Sequence, residues 1–340
     1  MAAFEQRFLP PRDGISAARL RAPGGRRTHA GAHLPVPATV GAWLAETVIP
    51  STLGREQAFG AMRLTPEYFV TDGALTTEGG ERAALADPVE PGGIYSFHKP
   101  VPHEPRIPFE VAIVYEDEDL LVVDKPAFLA STPNGKFVRE CVVTRLRAAR
   151  GEDSLVAIHR LDRVTSGLLI LSRRGATRGA YQSMFQRREV RKTYRALAWL
   201  PPAWRPGDPL PLGLAPGAGA RYRISRLEKE GGTRAVLETL GEPNARTSIE
   251  LLRVLRHAGR WAGEFLLRPH TGKTHQLRVH MNALGMPLLG DPVYPVDLAP
   301  DPYDFSSTLQ LLAERLAFAD PLTGEERAFE SGLRLDPRSA

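Results

Sequence analysis

The chain has 340 residues, of which 42% are hydrophobic and 24% charged, a composition typical of a globular protein with a large core and an accessory module. It contains no apolar run near the roughly 20 residues that cross a bilayer, and its first residues lack the apolar stretch of a signal peptide. Cys141 is the only cysteine, which excludes an internal disulfide and a thiolate-rich zinc site and makes a reducing cytoplasm the expected compartment.

The net charge of +5 leaves two interpretations open. One is a mildly basic protein without a charged partner. The other is a protein that binds a polyanion, because Lys and Arg gain affinity by releasing condensed counterions from phosphates. Arginine outnumbers lysine, and a guanidinium suits phosphate forks and base stacking better than an ammonium does. The arginine content therefore favours the second interpretation modestly.

The N-terminal part is predicted to contain little regular structure. Residues 1–36 are rich in Pro, Gly and Arg and predict a solvated, partly ordered arm, with contact to a nucleic acid as the alternative. Residues 37–100 predict a small accessory module, and prolines up to Pro108 form a stiff linker after it. Apolar spacing and turn residues within the module indicate two short helices and then two strands, over Val40–Val48, Arg55–Met62, Tyr68–Val70 and Ile94–Phe97.

Residues 109–340 predict a single α+β domain with a mainly antiparallel mixed sheet flanked by helices, because strands outnumber helices and hairpin signals recur. The predicted hairpin ends at Lys125-Pro126, and Pro201–Gly219 is expected to form a surface loop. The predicted strands are Val111–Tyr115, Leu120–Val123, Gly167–Ser172, Val190–Trp199, Arg221–Arg226, Ala235–Leu240, Ser248–Leu255 and Glu264–Leu267. The predicted helices are Val138–Ala149, Ala176–Gln186 and Thr274–Leu284.

The most informative segment is a charged loop directly before a buried strand. It reads HRLDRVTSG over residues 159–167 and is followed by LLIL. Asp162 lies between two arginines, and the apolar run anchors the loop that carries it. This layout predicts a rigid carboxylate at the mouth of a pocket, with cations near it that could hold phosphate. The structural alternative is an aspartate that only caps the turn before Thr-Ser-Gly.

This motif resembles the catalytic motif of the RluA-type pseudouridine synthases, which isomerise selected uridines in structured RNA. Further segments agree in the same order: KTY at 192–194, GKTHQLRVH at 272–280, GMPLLGD at 285–291 with Tyr294, and LAF with PLTGE near the C-terminus. The similarity extends from about Phe109 to about Leu333. It implies a pseudouridine synthase catalytic domain. The N-terminal module resembles a degenerate alpha-L RNA-binding domain, with a structural cap as the alternative.

The resemblance assigns three catalytic residues. Asp162 stabilises the ribose C1′ or attacks it, as the nucleophile of a retaining glycosidase does, or it removes the C2′ proton and leads through a glycal. Tyr194 stacks on the uracil and serves as, or relays to, the base that removes the C5 proton. Arg278 pairs with Asp162 and keeps it oriented. The structural alternatives are a sheet-filling tyrosine and a helix-surface arginine.

Five further residues are expected to contact RNA. Arg160 either fills the space that a flipped uridine vacates or contacts a phosphate. Lys192 shares a strand face with Tyr194 and contacts a phosphate or solvent. His159 is expected to form a hydrogen bond in the loop rather than to shuttle protons. Arg163 and Lys273 lie within the matching motifs and complete the predicted RNA surface.

The resemblance implies an RNA isomerase that needs no cofactor, and no residue cluster has the spacing of a metal site. The expected partner is ribosomal RNA, transfer RNA or both, for a cytoplasmic monomer that does not bind membranes. Two other functions compete: a non-catalytic RNA-binding protein that retains the fold, and a carboxylate glycosidase that acts on small nucleosides. The presence of Asp162, Tyr194 and Arg278 disfavours the first, and the arginine-rich composition disfavours the second.

Overall fold

The computed structural model describes residues 9–24, 36–53, 64–101, 103–229, 231–336 and 338. The chain divides into two compact units. The N-terminal unit comprises Met1–Glu104, Pro133–Glu140 and Thr144–Asp153, and the sheet unit comprises Pro105–Thr132, Cys141–Val143 and Ser154–Ala340. Within the described ranges, none of the helices combines the length and the apolar character that a membrane crossing needs.

The N-terminal unit contains short helices and a three-stranded antiparallel sheet in the order β1-β3-β2. Its core is aromatic: the rings of Trp43 and Tyr95 lie 5.1 Å apart, and those of Phe69 and Phe97 lie 4.7 Å apart. Its elements are β1 (Ala18–Arg21), α1 (Val40–Trp43), a π-helical turn (Leu44–Val48), α2 (Ile49–Leu53), α3 (Pro66–Val70), β2 (Thr76–Thr77) and β3 (Ile94–Phe97).

The structure differs from the sequence predictions in this unit. Tyr68–Val70 was predicted to be a strand and is helix α3, because the Thr65 side chain accepts a hydrogen bond from the Tyr68 backbone N–H at 3.3 Å and Pro66 occupies the first helical turn. Residues 18–21, predicted to belong to a loose arm, form strand β1 on the small sheet. The predicted helix at Arg55–Met62 lies outside the described residues.

The sheet unit is built on one eleven-stranded sheet. Its main path runs β10-β9-β11-β12-β8-β13-β7-β5-β4, and β14 and β6 pair with β13 and β7. The strands are β4 (Ala112–Glu116), β5 (Leu120–Lys125), β6 (Val156–Ala157), β7 (Ser166–Ser172), β8 (Arg191–Trp199), β9 (Arg221–Lys229), β10 (Val236–Thr239), β11 (Ala245–His257), β12 (Arg260–Pro269), β13 (Leu311–Ala319) and β14 (Glu326–Glu330).

Among these strands only β7 and β13 pair in parallel, which confirms the predicted mainly antiparallel mixed sheet in an α+β domain. The helices are α5 (Gly175–Gln186) and α6 (Gln276–Ala283), and α4 (Val142–Arg150) has residues in both units. The Pro201–Gly219 segment is more than a surface loop. It contains a 3₁₀ turn at Pro211–Gly213, and its side chains Trp204, Leu210 and Leu214 are buried in the main core.

The pairing register assigns side chains to two faces of the sheet. Tyr194 and Leu267 pair across β8 and β12, and Leu267 belongs to the core that Leu277 of α6 completes. We call this side the site face. Arg195 pairs with Leu266 one position further along and points to the opposite side, which we call the back face.

Candidate active site

The loop that carries Asp162 is fixed by hydrogen bonds to its backbone. The Ser131 hydroxyl donates to the Leu161 carbonyl at 2.9 Å and accepts from the Leu161 N–H at 3.0 Å. The Thr165 N–H donates to the Asp162 carbonyl at 3.1 Å and closes a tight turn. Because both sides of Asp162 are tied to the fold, its carboxylate is held in one place, as the sequence predicts.

Gly167 is required where the loop enters β7. Its φ is +110°, and a Cβ atom there would lie 2.4 Å from the carbonyl oxygen of Ala313 on β13. Only glycine allows this approach, which places Gly167 opposite Ala313 in the one parallel strand pair of the described sheet. The glycine of the motif therefore sets where the Asp162 loop leaves the sheet.

A buried lysine supports the same loop. The Lys125 ammonium donates to the carbonyls of Pro126 and Leu129 at 2.8 Å each and to the carbonyl of Arg163 at 3.1 Å. Its side chain is fully buried at the end of β5. Burial lowers the pKa of Lys125 to about 7, although the charge of Asp162 acts in the opposite direction. Lys125 thus joins two loops beneath the carboxylate.

Arg278 lies between two carboxylates. Its Nη1 contacts Asp162 Oδ2 at 3.2 Å, and its Nε and Nη2 bind the two oxygens of Asp291 at 2.8 and 2.7 Å. Asp291 also accepts the backbone N–H groups of Val293 and Tyr294 on Oδ1, at 2.9 and 3.1 Å. The Arg278 side chain is 2% exposed and the Asp162 side chain 32% exposed. Asp291 therefore fixes the guanidinium, and the guanidinium presents one N–H group to Asp162.

Burial alone would lower the pKa of Arg278, but the hydrogen bonds and charges of Asp291 and Asp162 raise it. Within the described part of the chain, Asp162 Oδ1 has no hydrogen-bond partner. The predicted pair of Asp162 and Arg278 is thus present as an ion pair, with one carboxylate oxygen left open.

His275 and Tyr294 close a second side of Asp162. His275 Nε2 lies 3.7 Å from Asp162 Oδ2, and its Nδ1 lies 3.1 Å from the Tyr294 hydroxyl. That hydroxyl donates to the carbonyl of Val236 at 3.0 Å and accepts its N–H at 2.8 Å. Burial and the charge of Arg278 lower the pKa of His275, against the effect of Asp162. Strand β10 thereby positions a histidine beside the carboxylate.

Tyr194 reaches the same site from the middle of β8. Its ring packs against the main core, partly buried, and burial raises the pKa of its hydroxyl, with the charge of Asp162 as a second cause. Tyr194 is therefore a phenol at neutral pH. Among the described residues its hydroxyl has no hydrogen-bond partner. The structure thus brings Asp162, Arg278 and Tyr194 together, as the sequence predicts. The raised pKa of the Tyr194 hydroxyl favours a proton relay over a phenolate base.

The residues predicted to contact RNA fall into two groups. Arg160, Lys192 and Lys273 have side chains that are exposed or partly exposed. The side chains of His159 and Arg163 instead bind other residues of the protein. His159 Nε2 accepts the Ile170 N–H at 3.2 Å, and its ring stacks on Phe185 at 4.6 Å. Burial, followed by the charge of Lys192, lowers the pKa of His159 to about 3. His159 is thus the loop hydrogen-bonder that the sequence suggests.

Arg163 holds loops together. Its Nη1 donates to the carbonyls of Phe128 and Pro302 at 3.2 and 3.0 Å, and burial lowers its pKa. The guanidinium of Arg163 is therefore less available to RNA than that of Arg160, which is exposed and, in the described part of the chain, has no ion-pair or hydrogen-bond partner. The predicted RNA contacts of Arg160 and Arg163 both stay predictions.

Sequence reasoning did not assign site roles to Lys125, Asp291, His275 or Tyr294. A signal existed for Lys125, because a lysine at the end of the apolar run LLVVD is unusual in a buried strand. Asp291 and Tyr294 were noticed only as parts of matching motifs. Their contacts join residues from different loops and from β10, and such pairings are not visible in a local pattern.

Comparisons with known proteins identify relatives over about two thirds of the chain. Residues 119–283 match a family described as RNA pseudouridylate synthase. The chain is 33% identical over 230 residues to the dual-specificity RNA pseudouridine synthase RluA of Salmonella typhi, which covers 67% of this chain and 94% of that protein. The same enzyme of Escherichia coli K12 is 33% identical over 232 residues, covering 68% and 94%.

A more distant relative and a solved structure agree with this. The ribosomal large subunit pseudouridine synthase C of Rickettsia conorii is 25% identical over 293 residues, which covers 82% of this chain and 88% of that protein. The structure of human RNA pseudouridylate synthase domain containing 1 aligns with a TM-score of 0.51 and 25% identity, over 69% of this chain and 87% of that one. The aligned fold is that of a pseudouridine synthase domain.

Proposed function

Because the chain belongs to the RluA-type family of RNA pseudouridine synthases, we propose that Asp162 is the carboxylate with which it isomerises uridine to pseudouridine. The reaction breaks the N-glycosidic bond, turns the uracil and joins its C5 to C1′ of the ribose. One observation carries the assignment: Arg278 holds Asp162 through Oδ2, while Oδ1 stays open on a side chain that is 32% exposed.

Asp162 acts where positive charge develops on the ribose. An open carboxylate oxygen beside C1′ stabilises that charge or forms a glycosyl ester, and the alternative is removal of the C2′ proton through a glycal. Arg278 orients the carboxylate on either route, because its own orientation is fixed by Asp291. Asp291 is a positioning residue on this account.

Tyr194 acts after the new C5 bond has formed. Its ring stacks on the uracil, and its hydroxyl accepts the C5 proton while it donates its own proton to solvent water, rather than acting as a phenolate, because its pKa is raised. The uridine must leave the RNA stack first, at a cost of a few kcal/mol. Arg160, which is exposed two residues before Asp162, is proposed to fill the vacated space or to contact a phosphate.

The proposed substrate is ribosomal RNA, transfer RNA or both, since the relatives named above are a dual-specificity enzyme and a ribosomal large subunit enzyme. Arg160, Lys192 and Lys273 are proposed to contact its backbone, and the N-terminal unit is proposed to be an accessory RNA-binding module. We expect the protein to act as a monomer in the cytoplasm and without a cofactor.

The substrate is tested by mapping pseudouridines in the RNA of cells with and without this gene. We expect one or a few sites in ribosomal or transfer RNA to disappear, and a plasmid copy to restore them. An unchanged map in both RNA classes would contradict the proposed substrate. Turnover of free uridine by the purified protein, at a rate near that on RNA, would instead support the nucleoside alternative.

A further inference from the structure

A cavity opens where β8 and β12 separate, and Thr193, the residue before Tyr194, lines it. Their pairing ends at Tyr194 and Leu267. Before that point β8 pairs only with β13, through residues 191–193, and after it β12 pairs only with β11, through Arg268 and Pro269. The gap between the diverging strands is a cavity of about 370 Å³, which we call the notch.

The notch is lined by cations. The described residues that form its wall include no Asp or Glu. Its basic lining residues are Arg188, Arg191, Lys192, Arg268, His270 and Arg315.

Three of these arginines are neutralised by carboxylates outside the notch. Arg191 pairs with Glu326 at 2.6 Å, Arg268 with Glu250 at 2.9 Å, and Arg315 with Glu330 at 3.6 Å.

Arg188 and Lys192 differ from these three. Neither has an ion pair with any residue that the structure describes. Burial and then the charge of Arg188 lower the pKa of Lys192, and burial, Arg246 and Lys192 lower that of His270. The basic groups around the notch therefore disfavour one another's charged forms, and a bound anion would relieve this repulsion.

The position of the notch relative to Tyr194 indicates which anion it binds. Lys192 and Tyr194 lie on the same face of β8, two residues and hence about 7 Å apart. Lys192 Nζ also lies beside Gly272, 3.9 Å from where a Cβ would be, at the loop that leads to Arg278. An RNA strand with its uracil against Tyr194 therefore has its backbone within reach of the notch.

We propose that the notch binds a backbone phosphate of the substrate RNA, next to the nucleotide whose uracil lies against Tyr194. Arg188 and Lys192 supply the two uncompensated charges, and His270 lines the opposite wall. This site lies outside the Asp162 centre. The inference rests on the proposed function, because it takes RNA as the ligand.

The test compares a double neutralisation at the notch with a single neutralisation beside it. Arg188→Asn with Lys192→Gln removes both unpaired charges, and asparagine tolerates the positive φ of +62° at position 188. Arg187→Asn removes one charge from the neighbouring residue, which is exposed and paired with Glu189 at 2.6 Å. Dissociation constants are measured at several salt concentrations, for the stem-loop that the pseudouridine map identifies and for a short oligouridylate.

We expect the double variant to bind the stem-loop about tenfold to a hundredfold more weakly, as loss of charge-assisted contacts would cause. The slope of log K against log salt should fall by about 0.7–0.9, the value of one phosphate. Arg187→Asn should change the dissociation constant less than threefold, and Lys192→Arg should keep most of the affinity. A double variant that matches Arg187→Asn in affinity and slope would overturn the proposal.

A second measurement identifies the phosphate. Single phosphates of the stem-loop are replaced by neutral methylphosphonates. The wild type should lose affinity at one position adjacent to the target uridine, and the double variant should be insensitive at that position. Equal sensitivity of both proteins at every position would contradict the notch as the binding site. Because affinity rather than product is measured, this result is independent of whether Asp162 is the catalytic carboxylate.

Discussion

Arg278 on the site face and Arg195 on the back face are each held between two carboxylates, but we propose that only Arg278 serves a reactive centre. Arg195 binds Glu264 at 2.7 Å and Glu314 at 2.6 and 3.1 Å, and Arg253 covers the second oxygen of Glu264. All four oxygens of Glu264 and Glu314 thus meet a guanidinium.

On the site face Asp291 is saturated in the same way, whereas Asp162 keeps Oδ1 open. The two carboxylates also differ in solvent exposure: the Asp291 side chain is fully buried, whereas that of Asp162 is 32% exposed. The number of ion pairs therefore does not distinguish a site from a structural network. The networks of Arg278 and Arg195 differ instead in the Asp162 oxygen that the fold leaves unpaired.

Removal of each arginine is the strongest way to break this comparison. Arg278→Gln leaves Asp291 buried without its cation, so we expect the free energy of unfolding to fall by about 3–5 kcal/mol and activity to be lost. Arg195→Gln affects a partly exposed network and should cost about 1 kcal/mol or less, with kcat within about twofold of wild type. Urea unfolding and tritium release from C5-labelled uridine in RNA measure both effects.

Since Arg278→Gln could fail to fold, Arg278→Lys serves as its second variant. A lysine keeps the charge but not the fork, so the folded protein should lose roughly 10²-fold in kcat/KM. Normal activity of Arg278→Lys, or equal losses of activity at positions 278 and 195, would contradict the distinction between the two faces.

Tyr194→Phe sharpens the comparison within one strand, because Tyr194 and Arg195 are neighbours that point to opposite faces. The ring can still stack, so RNA affinity should stay within a few-fold of wild type. Tritium release should fall by roughly 10²–10⁴-fold, as expected when the group that moves a proton is lost. If Tyr194 only fills the sheet, tritium release stays near normal and at most the thermal stability falls.

His280 shows how the type of partner decides the charge of a buried group. It lies two residues after Arg278 on α6, but its ring nitrogens contact the hydroxyls of Thr247 and Ser225 at 2.9 and 3.1 Å, and burial lowers its pKa to about 4. The unfolded chain takes up this proton near pH 6.5 and the folded protein does not. The contribution of His280 to the free energy of unfolding is therefore fully present above about pH 7 and declines as the pH falls toward 4.

Between pH 7.5 and 5 this decline amounts to roughly 2 kcal/mol. Urea unfolding of wild type and His280→Gln at both pH values measures it. The variant should lose correspondingly less stability than the wild type over this range. An identical pH dependence of the two proteins would show that His280 is not the group responsible.

Chelation should have the smallest effect, namely none. The carboxylates at Arg278 are held by nitrogen donors, and an isomerisation involves no net redox change. We expect kcat to be unchanged after exhaustive treatment with a chelator and dialysis. Loss of activity that one specific metal restores would contradict this prediction.

The sequence predicted the parts of the site that a short segment contains. The 159–167 motif predicted a rigid loop that carries Asp162, and the resemblance to the RluA-type family implied that Tyr194 and Arg278 act with it. The parts that were missed depend on distant pairing: the Lys125 ammonium meets the Arg163 carbonyl across 38 positions, and the Tyr294 hydroxyl meets Val236 across 58.

The fold follows the same division. Alternating apolar runs predicted the long strands, but the parallel contact of β7 with β13 joins residues more than 140 positions apart and has no local signal. The strand prediction for Tyr68–Val70 was wrong for the opposite reason. Its residue types favour a strand, whereas the cap at Thr65 and the proline after it specify a helix.

The central claim, that Asp162 performs the chemistry, is tested most directly by Asp162→Asn, which is nearly isosteric and removes the charge beside C1′. The exposed Asp153 provides a matched control as Asp153→Asn. Pseudouridine formation and RNA affinity are measured on the same preparations. We expect Asp162→Asn to form no detectable pseudouridine while it folds and binds RNA within a few-fold of wild type, and Asp153→Asn to match wild type in both. Substantial activity of Asp162→Asn would contradict the account.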